Sequence, residues 1–199
     1  MYRGRILLWK LHLSETGGNF GKESVDTKVR FFELTMWPHM RAAYNLARWL
    51  VHNDQDAEDI VQESFLKAFK AQASFRGSEA KTWMLAIVRN TAMDFRRRDR
   101  SGIAVPLGDE GYEPKDDSPD PERILLDQSR RERVRHAISH LEPEFREVIV
   151  LREIEGLSYK DIASVLGIPI GTVMSRLSRA RNLLLVELGA SKEVQHDLP

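Results

Sequence analysis

The sequence of 199 residues predicts an all-α protein: two small helical domains joined by a flexible acidic linker. Three observations support this prediction. Apolar residues recur at spacings of three and four on both sides of the chain's middle, which is the period of amphipathic helices. No stretch of useful length shows the alternation of a strand. Residues 101–120 combine glycines and prolines with carboxylates, and this composition breaks helices.

Five segments follow from these patterns. The first 30 residues show no sustained period, so we expect a poorly ordered extension. The linker has too few apolar side chains to offset the entropy of ordering it. In chain order the predicted segments are the extension 1–30, a helical domain 31–100, the linker 101–120, a second helical domain 121–188 and a tail 189–199.

Helices of the first domain are marked by apolar stripes. The first stripe consists of Tyr44, Ala47, Leu50 and Val51. The second stripe lies in a predicted helix over 54–70 and consists of Ile60, Val61, Phe65, Ala68 and Phe69. A third helix is expected from Ser78 to about Asp99.

The second domain is predicted to contain four helices. Asp120 and Pro121 suit the start of a helix that runs to about His140, and Pro143 starts another that ends near Ile154. The last two helices come from residues 156–181, which have the outline of a helix-turn-helix.

Local signals define this helix-turn-helix. Ser158 and Asp161 are spaced like a capping box, and Gly167 ends the short helix that follows. The second helix has a buried stripe of Val173, Leu177, Ala180 and Leu184. Its opposite face carries side chains that suit a major groove: Thr172, Ser175, Arg176, Arg179 and Asn182. The alternative is a solvated arginine-bearing helix without DNA contact.

Charge and composition exclude several kinds of site and of protein. The chain has 30 basic and 30 acidic residues, and its zero net charge arises because an acidic middle cancels basic flanks. It has no cysteine, so disulfides and thiolate metal sites are excluded, and we expect a reducing cytoplasm. No signal peptide or membrane span is recognisable, which predicts no membrane insertion.

Catalytic and cofactor motifs are not found. His136 and His140 are four residues apart on a predicted helix, but Ala137 stands where a zinc protease motif has glutamate, and no third ligand is evident. No phosphate-binding loop or nucleophile motif appears. The sequence therefore predicts no enzyme activity, no metal and no cofactor.

Two surfaces are predicted in the first domain. An acidic ridge on helix 54–70 consists of Asp56, Asp59, Gln62 and Glu63. Residues 74–100 interleave aromatic and basic side chains, as single-stranded nucleic acid requires for stacking and phosphate pairing. The alternatives are a solvated ridge, and a purely structural role for Trp83 and Phe95.

Several motifs in one order resemble bacterial sigma factors of the extracytoplasmic-function group. Over residues 35–188 these are DAEDIVQESFLKAF, SFRG, TW followed by IVRNTAMDFRRR, the acidic linker, LEPEFREVIVLREIEGLSYKDIA and GIPIGTVMSRLSRAR. The resemblance implies a protein that directs core RNA polymerase to promoters and helps to melt the −10 element. It also implies a protein partner, an anti-sigma factor.

The resemblance also implies roles for individual residues. The acidic ridge would bind the clamp helices of the largest polymerase subunit. The −10 set would be Phe75, Arg76, Trp83, Asn90, Arg96, Arg97 and Arg98. The −35 set would be Lys160, Thr172, Met174, Ser175, Arg176, Ser178, Arg179 and Arg181. Met174 departs from relatives with a basic residue there, and Ser178 often corresponds to a larger residue.

Two other functions fit parts of the pattern. An ordinary dimeric helix-turn-helix regulator would use residues 35–100 for sensing or dimerisation and would bind duplex DNA alone. A helical adaptor without DNA contact would leave the arginine-rich face of the last helix unexplained.

Overall fold

The computed structural model describes the main chain of residues 22–76, 79–99 and 121–189, and the side chains of 28–76, 79–98 and 129–189. Regular structure within these ranges is entirely helical, which confirms the predicted fold class. The predicted linker 101–120 lies outside the described residues, as do residues 1–21 and 190–199.

The helices agree closely with the sequence signals. The α-helices are α1 (Lys22–Thr35), α2 (Met40–Val51), α3 (Asp54–Ala71), α4 (Ala80–Asp99), α5 (Pro121–His140), α6 (Pro143–Ile149), α7 (Tyr159–Leu166) and α8 (Ile170–Glu187). Short 3-10 turns cover Trp37–His39 and Gln72–Ser74, and a π turn over Val150–Ile154 follows α6. None of the described helices is long and apolar enough to cross a membrane.

The chain separates into two compact units, Met1–Pro38 and His39–Pro199. In the first unit, the expectation of a poorly ordered extension over 1–30 is wrong for residues 22–30, which lie in helix α1. Many polar residues in this helix hide its apolar period in the sequence. Phe32 and Met36 are fully buried, and the Met36 N–H donates to the Phe32 carbonyl at 2.8 Å.

In the second unit, helices α2, α3 and α4 pack on one another. Their shared core includes Leu46, Ile60, Phe65, Met84 and Leu85. The side chain of Asn53 caps α3 by accepting from the Asp56 N–H at 3.1 Å. His52 ends α2 in the left-handed region, with φ of 60°.

The remaining helices of this unit form a second group. Helix α8 packs on α5, α6 and α7. The Ser158 hydroxyl accepts from the Asp161 N–H at 3.1 Å, and Gly167 ends α7 with φ of 66°. The capping interaction and the glycine turn of the helix-turn-helix are therefore present. The two groups also touch, since α4 packs on α7 and α2 on α6.

Candidate nucleic-acid interface

The outward face of α8 carries part of the predicted −35 set. Each residue advances about 100° around a helix with 3.6 residues per turn. The inner side is defined by three buried residues, Val173, Leu177 and Ala180. Ser175, Ser178 and Arg179 lie opposite that side, and all three are exposed. A groove of DNA facing α8 would meet these side chains first.

Two arginines lie on the flanks of this face, and each is held by a carboxylate. Arg176 is 3.2 Å from Glu144, and Arg181 donates to Glu153 at 3.2 and 2.7 Å. The bond to Glu153 raises the pKa of Arg181, so that guanidinium stays charged. Ion pairs at the surface contribute little free energy, so phosphate oxygens can replace both carboxylates.

The other predicted −35 residues surround this face. Lys160 on α7 is exposed, and Thr172 is half-buried in the first turn of α8. The Thr172 carbonyl accepts from the Ser175 hydroxyl at 3.0 Å. Met174 exposes 54% of its surface, so α8 presents an apolar side chain beside its polar face.

Aromatic rings from two segments meet at the predicted −10 surface. Phe75 follows the 3-10 turn Gln72–Ser74, and its ring centre lies 5.3 Å from that of Trp83 on α4, with 54° between the planes. Both residues are half-buried, and the neighbouring Arg76 is exposed. Phe95 is also half-buried, so none of the three aromatic residues is enclosed in the core.

The remaining −10 residues occupy the second half of α4. Asn90 is exposed and Arg96 is half-buried. Arg97 pairs with Asp94, while Arg98 lies 3.5 Å from Glu63 on α3. The arginine run thus combines a cationic surface with contacts inside the protein.

The acidic ridge of α3 carries less net negative charge in the structure than its sequence alone suggests. Asp59 and Gln62 are exposed, and Asp56 is half-buried in the first turn of α3. Glu63 is 2.8 Å from Lys67, whose hydrogen bond lowers the pKa of the Glu63 carboxyl. Glu63 is therefore charged but locally neutralised by Lys67 and Arg98.

One turn of α6 connects the two predicted DNA surfaces. Arg89, the neighbour of Asn90, lies 3.5 Å from Glu147. Glu144 precedes Glu147 by three residues and pairs with Arg176 at 3.2 Å. Glu147 is buried, and that burial raises the pKa of its carboxyl. The bridging roles of Glu144 and Glu147 are not visible in the sequence, because a link between distant helices leaves no periodic signal.

Arg146 is a buried cation that sequence reasoning also missed. Its guanidinium donates to the carbonyls of Ser139 at 2.6 Å, Leu141 at 2.7 Å and Trp49 at 3.4 Å. It also contacts the His52 ring. Burial lowers the pKa of Arg146 to about 10 and that of His52 to about 4, with Arg146 adding to the effect on His52.

A third candidate metal ligand joins the histidine pair. His136 and His140 on α5 and Glu187 on α8 each offer a ligand atom, and these atoms lie within 4.8 Å of one another. All three residues are exposed. Glu187 is not recognisable in the sequence as a third ligand, because it is distant along the chain from the histidines and belongs to no motif.

Comparisons with known proteins identify the family. The Sigma-70 region 2 family matches residues 38–102, and the Sigma-70, region 4 family matches residues 131–184. The RNA polymerase sigma-H factor of Pseudomonas aeruginosa is 37% identical over 163 residues, which cover 78% of this chain and 84% of the relative. Relatives named as ECF RNA polymerase sigma factors also match. The chain belongs to the extracytoplasmic-function (ECF) group of the sigma-70 family. This result confirms the predicted resemblance.

A second relative and a solved structure support the same family assignment. The sigma-E factor of Salmonella typhimurium is 40% identical over 138 residues, covering 65% of this chain and 72% of the relative. The structure of the sigma factor RpoE with the anti-sigma factor NepR from Bartonella quintana has a TM-score of 0.65 and 30% identity, covering 80% of this chain and 98% of that one. In this sigma factor, region 2 includes α2–α4, where the ordinary-regulator hypothesis placed a sensor domain. The comparisons favour the sigma factor over that regulator.

Proposed function

We propose that this sigma factor confers promoter recognition on core RNA polymerase, with no catalytic step of its own. The observation that carries this proposal is the exposed outward face of α8, with an arginine on each flank. This face belongs to region 4, while the aromatic and basic surface of α4 belongs to region 2. One chain thus offers two distinct surfaces for one promoter.

Region 4 would read the −35 element as duplex. Arg179 lies on the outward face and suits a bidentate contact with guanine, while Ser175 and Ser178 suit base edges or phosphates. Once Glu144 and Glu153 release them, Arg176 would reach a base edge and Arg181 the adjacent phosphates. Lys160 and Thr172 would contact the phosphate backbone.

Region 2 would capture the −10 element as it opens. The exposed parts of Phe75 and Trp83 offer rings for a displaced base, and Arg76 and Asn90 lie in the same region with exposed polar groups. Unstacking a base costs a few kcal/mol, so a preformed site favours the open strand. Arg96, Arg97 and Arg98 would hold phosphates at the upstream edge.

Protein partners follow from the same assignment. The ridge of Asp56, Asp59, Gln62 and Glu63 would bind a basic surface on the polymerase clamp, in the cytoplasm where transcription occurs. An anti-sigma factor is the proposed inhibitor, since the similar RpoE was solved with one. Such a partner would compete for surfaces of region 2 or region 4.

We further propose that regions 2 and 4, which pack on each other here, separate when the protein binds promoter DNA. The −10 and −35 elements lie roughly 85 Å apart at about 3.4 Å per base pair. Here Asn90 neighbours Arg89, which is linked to Arg176 through Glu147 and Glu144 on one turn of α6. While these two ion pairs hold the −10 and −35 surfaces together, the protein cannot contact both promoter elements at once.

Run-off transcription with purified core polymerase tests the function. We expect initiation that depends on this protein and on a shared pair of promoter elements. Arg176→Ala should weaken −35 binding by about 1–3 kcal/mol, as for a base-reading arginine. The matched control is Arg41→Ala, which removes an exposed arginine of α2. Equal promoter affinity in both variants would contradict the role of Arg176, and failure to initiate would contradict the sigma assignment.

Energy transfer between two dyes tests the opening. Because the chain has no cysteine, Lys70→Cys on α3 and Val186→Cys near the end of α8 provide two labelling positions outside the proposed DNA-facing residues, and both native residues are exposed. We expect transfer to fall when core polymerase and promoter DNA are added. Unchanged transfer in a transcribing complex would contradict the opening.

A further inference from the structure

Two histidines and a glutamate meet where α5 packs on α8. The His136 and His140 ring centres are 4.1 Å apart in an edge-to-face arrangement, and Glu187 lies in the last turn of α8. The three ligand atoms lie within 4.8 Å of one another. Spacings of this size need only small side-chain rotations to surround an ion with bonds of about 2.0–2.2 Å.

The segment that carries the histidines is held by buried contacts. Arg146 donates to the carbonyls of Ser139 and Leu141, at 2.6 and 2.7 Å, and these residues flank His140. Because Arg146 is only 9% exposed, it provides a fixed support for the end of α5. The backbone of the cluster is therefore positioned without help from an ion.

The His140 ring is also held in one tautomer by a main-chain hydrogen bond. Its Nδ1 lies 3.0 Å from the main-chain carbonyl of His136. A carbonyl can only accept, so Nδ1 carries the proton, and in the neutral ring Nε2 keeps its lone pair. Metal-binding histidines commonly donate their second ring nitrogen to a carbonyl in this way, which fixes tautomer and ring direction.

We propose that His136, His140 and Glu187 form a binding site for a divalent transition-metal ion with the ligand preferences of Zn²⁺. Two imidazoles and one carboxylate are ligands that such ions prefer, whereas Mg²⁺ and Ca²⁺ favour oxygen alone. All three side chains are exposed, so solvent can supply the remaining ligand. The proposal is independent of the promoter assignments.

The bound ion would connect the ends of α5 and α8. Glu187 lies eleven residues after Arg176, which is about 16 Å along the helix at 1.5 Å per residue. The ion would therefore stabilise region 4 without touching the DNA-facing residues. An ion that binds only the folded state raises the unfolding temperature.

The test uses the full-length chain with any affinity tag removed. Co²⁺ binding is followed by visible absorption and Zn²⁺ binding by calorimetry. We expect one ion per chain, and a rise of about 5–10 °C in the unfolding midpoint at a Zn²⁺ concentration about 100 times Kd. His140→Ala and Glu187→Gln should each weaken binding at least about tenfold and remove most of the rise. Glu132→Gln, an exposed glutamate on α5, is the control and should behave like the parent.

Three outcomes would overturn the proposal. The first is parental binding by both His140→Ala and Glu187→Gln. The second is loss of binding in His140→Ala with parental binding in Glu187→Gln, which would exclude the carboxylate. The third is metal-dependent dimerisation in size-exclusion chromatography with half an ion per chain, which would place the ion between molecules. Circular dichroism of each variant without metal verifies that it is folded.

Discussion

The ammonium group of Lys81 in region 2 lies 3.1 Å from the carboxylate of Glu155 in region 4 and donates to the Glu155 main-chain carbonyl at 2.6 Å. Asn45 donates to the same carboxylate at 3.1 Å. Only 5% of the Glu155 side chain is exposed. These two groups of region 2 therefore satisfy a charge that water reaches poorly, and they make the contact between the regions specific.

Removing the ammonium should destabilise the chain. Lys81→Met retains the length of the side chain but leaves the Glu155 carboxylate with Asn45 as a neutral donor. We expect a loss of about 1–3 kcal/mol in the free energy of unfolding, measured by urea denaturation. Lys70→Met, on the exposed side of α3, should change it by less than about 0.5 kcal/mol. Equal losses in the two variants would show that the ion pair contributes nothing.

His52 should make stability depend on pH. Burial first, and then Arg146, Arg48 and Arg96, lower the pKa of His52 to about 4, against 6.5 for an ordinary histidine. Between pH 6.5 and 4 the unfolded chain binds the proton more readily than the folded chain. The contribution of His52 is therefore complete above pH 6.5 and is lost as the pH falls through 4.

Thermal unfolding between pH 7 and 4 checks this dependence. The variant is His52→Asn, because asparagine tolerates the left-handed backbone at this position. Its unfolding midpoint should fall less steeply with acidification than that of the parent. Glu147 opposes the trend, since its raised pKa favours the folded state at low pH, but it is present in both proteins. Parallel curves would contradict the role of His52.

Two glycines of the helix-turn-helix should respond oppositely to alanine. Gly167 has φ of +66° and Gly171 lies in the first turn of α8, and an added Cβ meets no atom within 4 Å at either position. Gly167→Ala therefore carries backbone strain alone and should cost about 1 kcal/mol. Gly171→Ala should stabilise by about 0.5–1 kcal/mol through a less flexible unfolded chain. Urea denaturation of both variants measures the difference, and a shared sign would contradict the backbone argument.

Local features of this fold were predictable from sequence. The start of α5 at Pro121, the cap at Ser158 and the turn at Gly167 depend on neighbouring residues alone. The outward polar face of α8 follows from its buried stripe. Such features can be recognised in the sequence because each is determined by residues that are close together along the chain.

Long-range features were not predictable. Glu155 looks like an ordinary surface glutamate until Asn45 and Lys81 reach it, and Arg146 looks like a solvated helix residue until its carbonyl partners are known. Glu187 joins the histidine pair only because α5 packs on α8. These relationships depend on tertiary packing, which no local period encodes.

Asn90 should matter more for opening the promoter than for docking on it. The residue is exposed on α4, and its neighbour Arg89 is occupied by Glu147, so Asn90 is the better placed of the two to contact the opened −10 strand. Asn90→Ala should reduce formation of the open complex by about tenfold, equivalent to about 1.4 kcal/mol. Fluorescent base analogues in the −10 element measure opening, and footprinting at low temperature measures docking. Lys70→Ala serves as the control, and a variant that docks poorly but opens normally would contradict the assigned role.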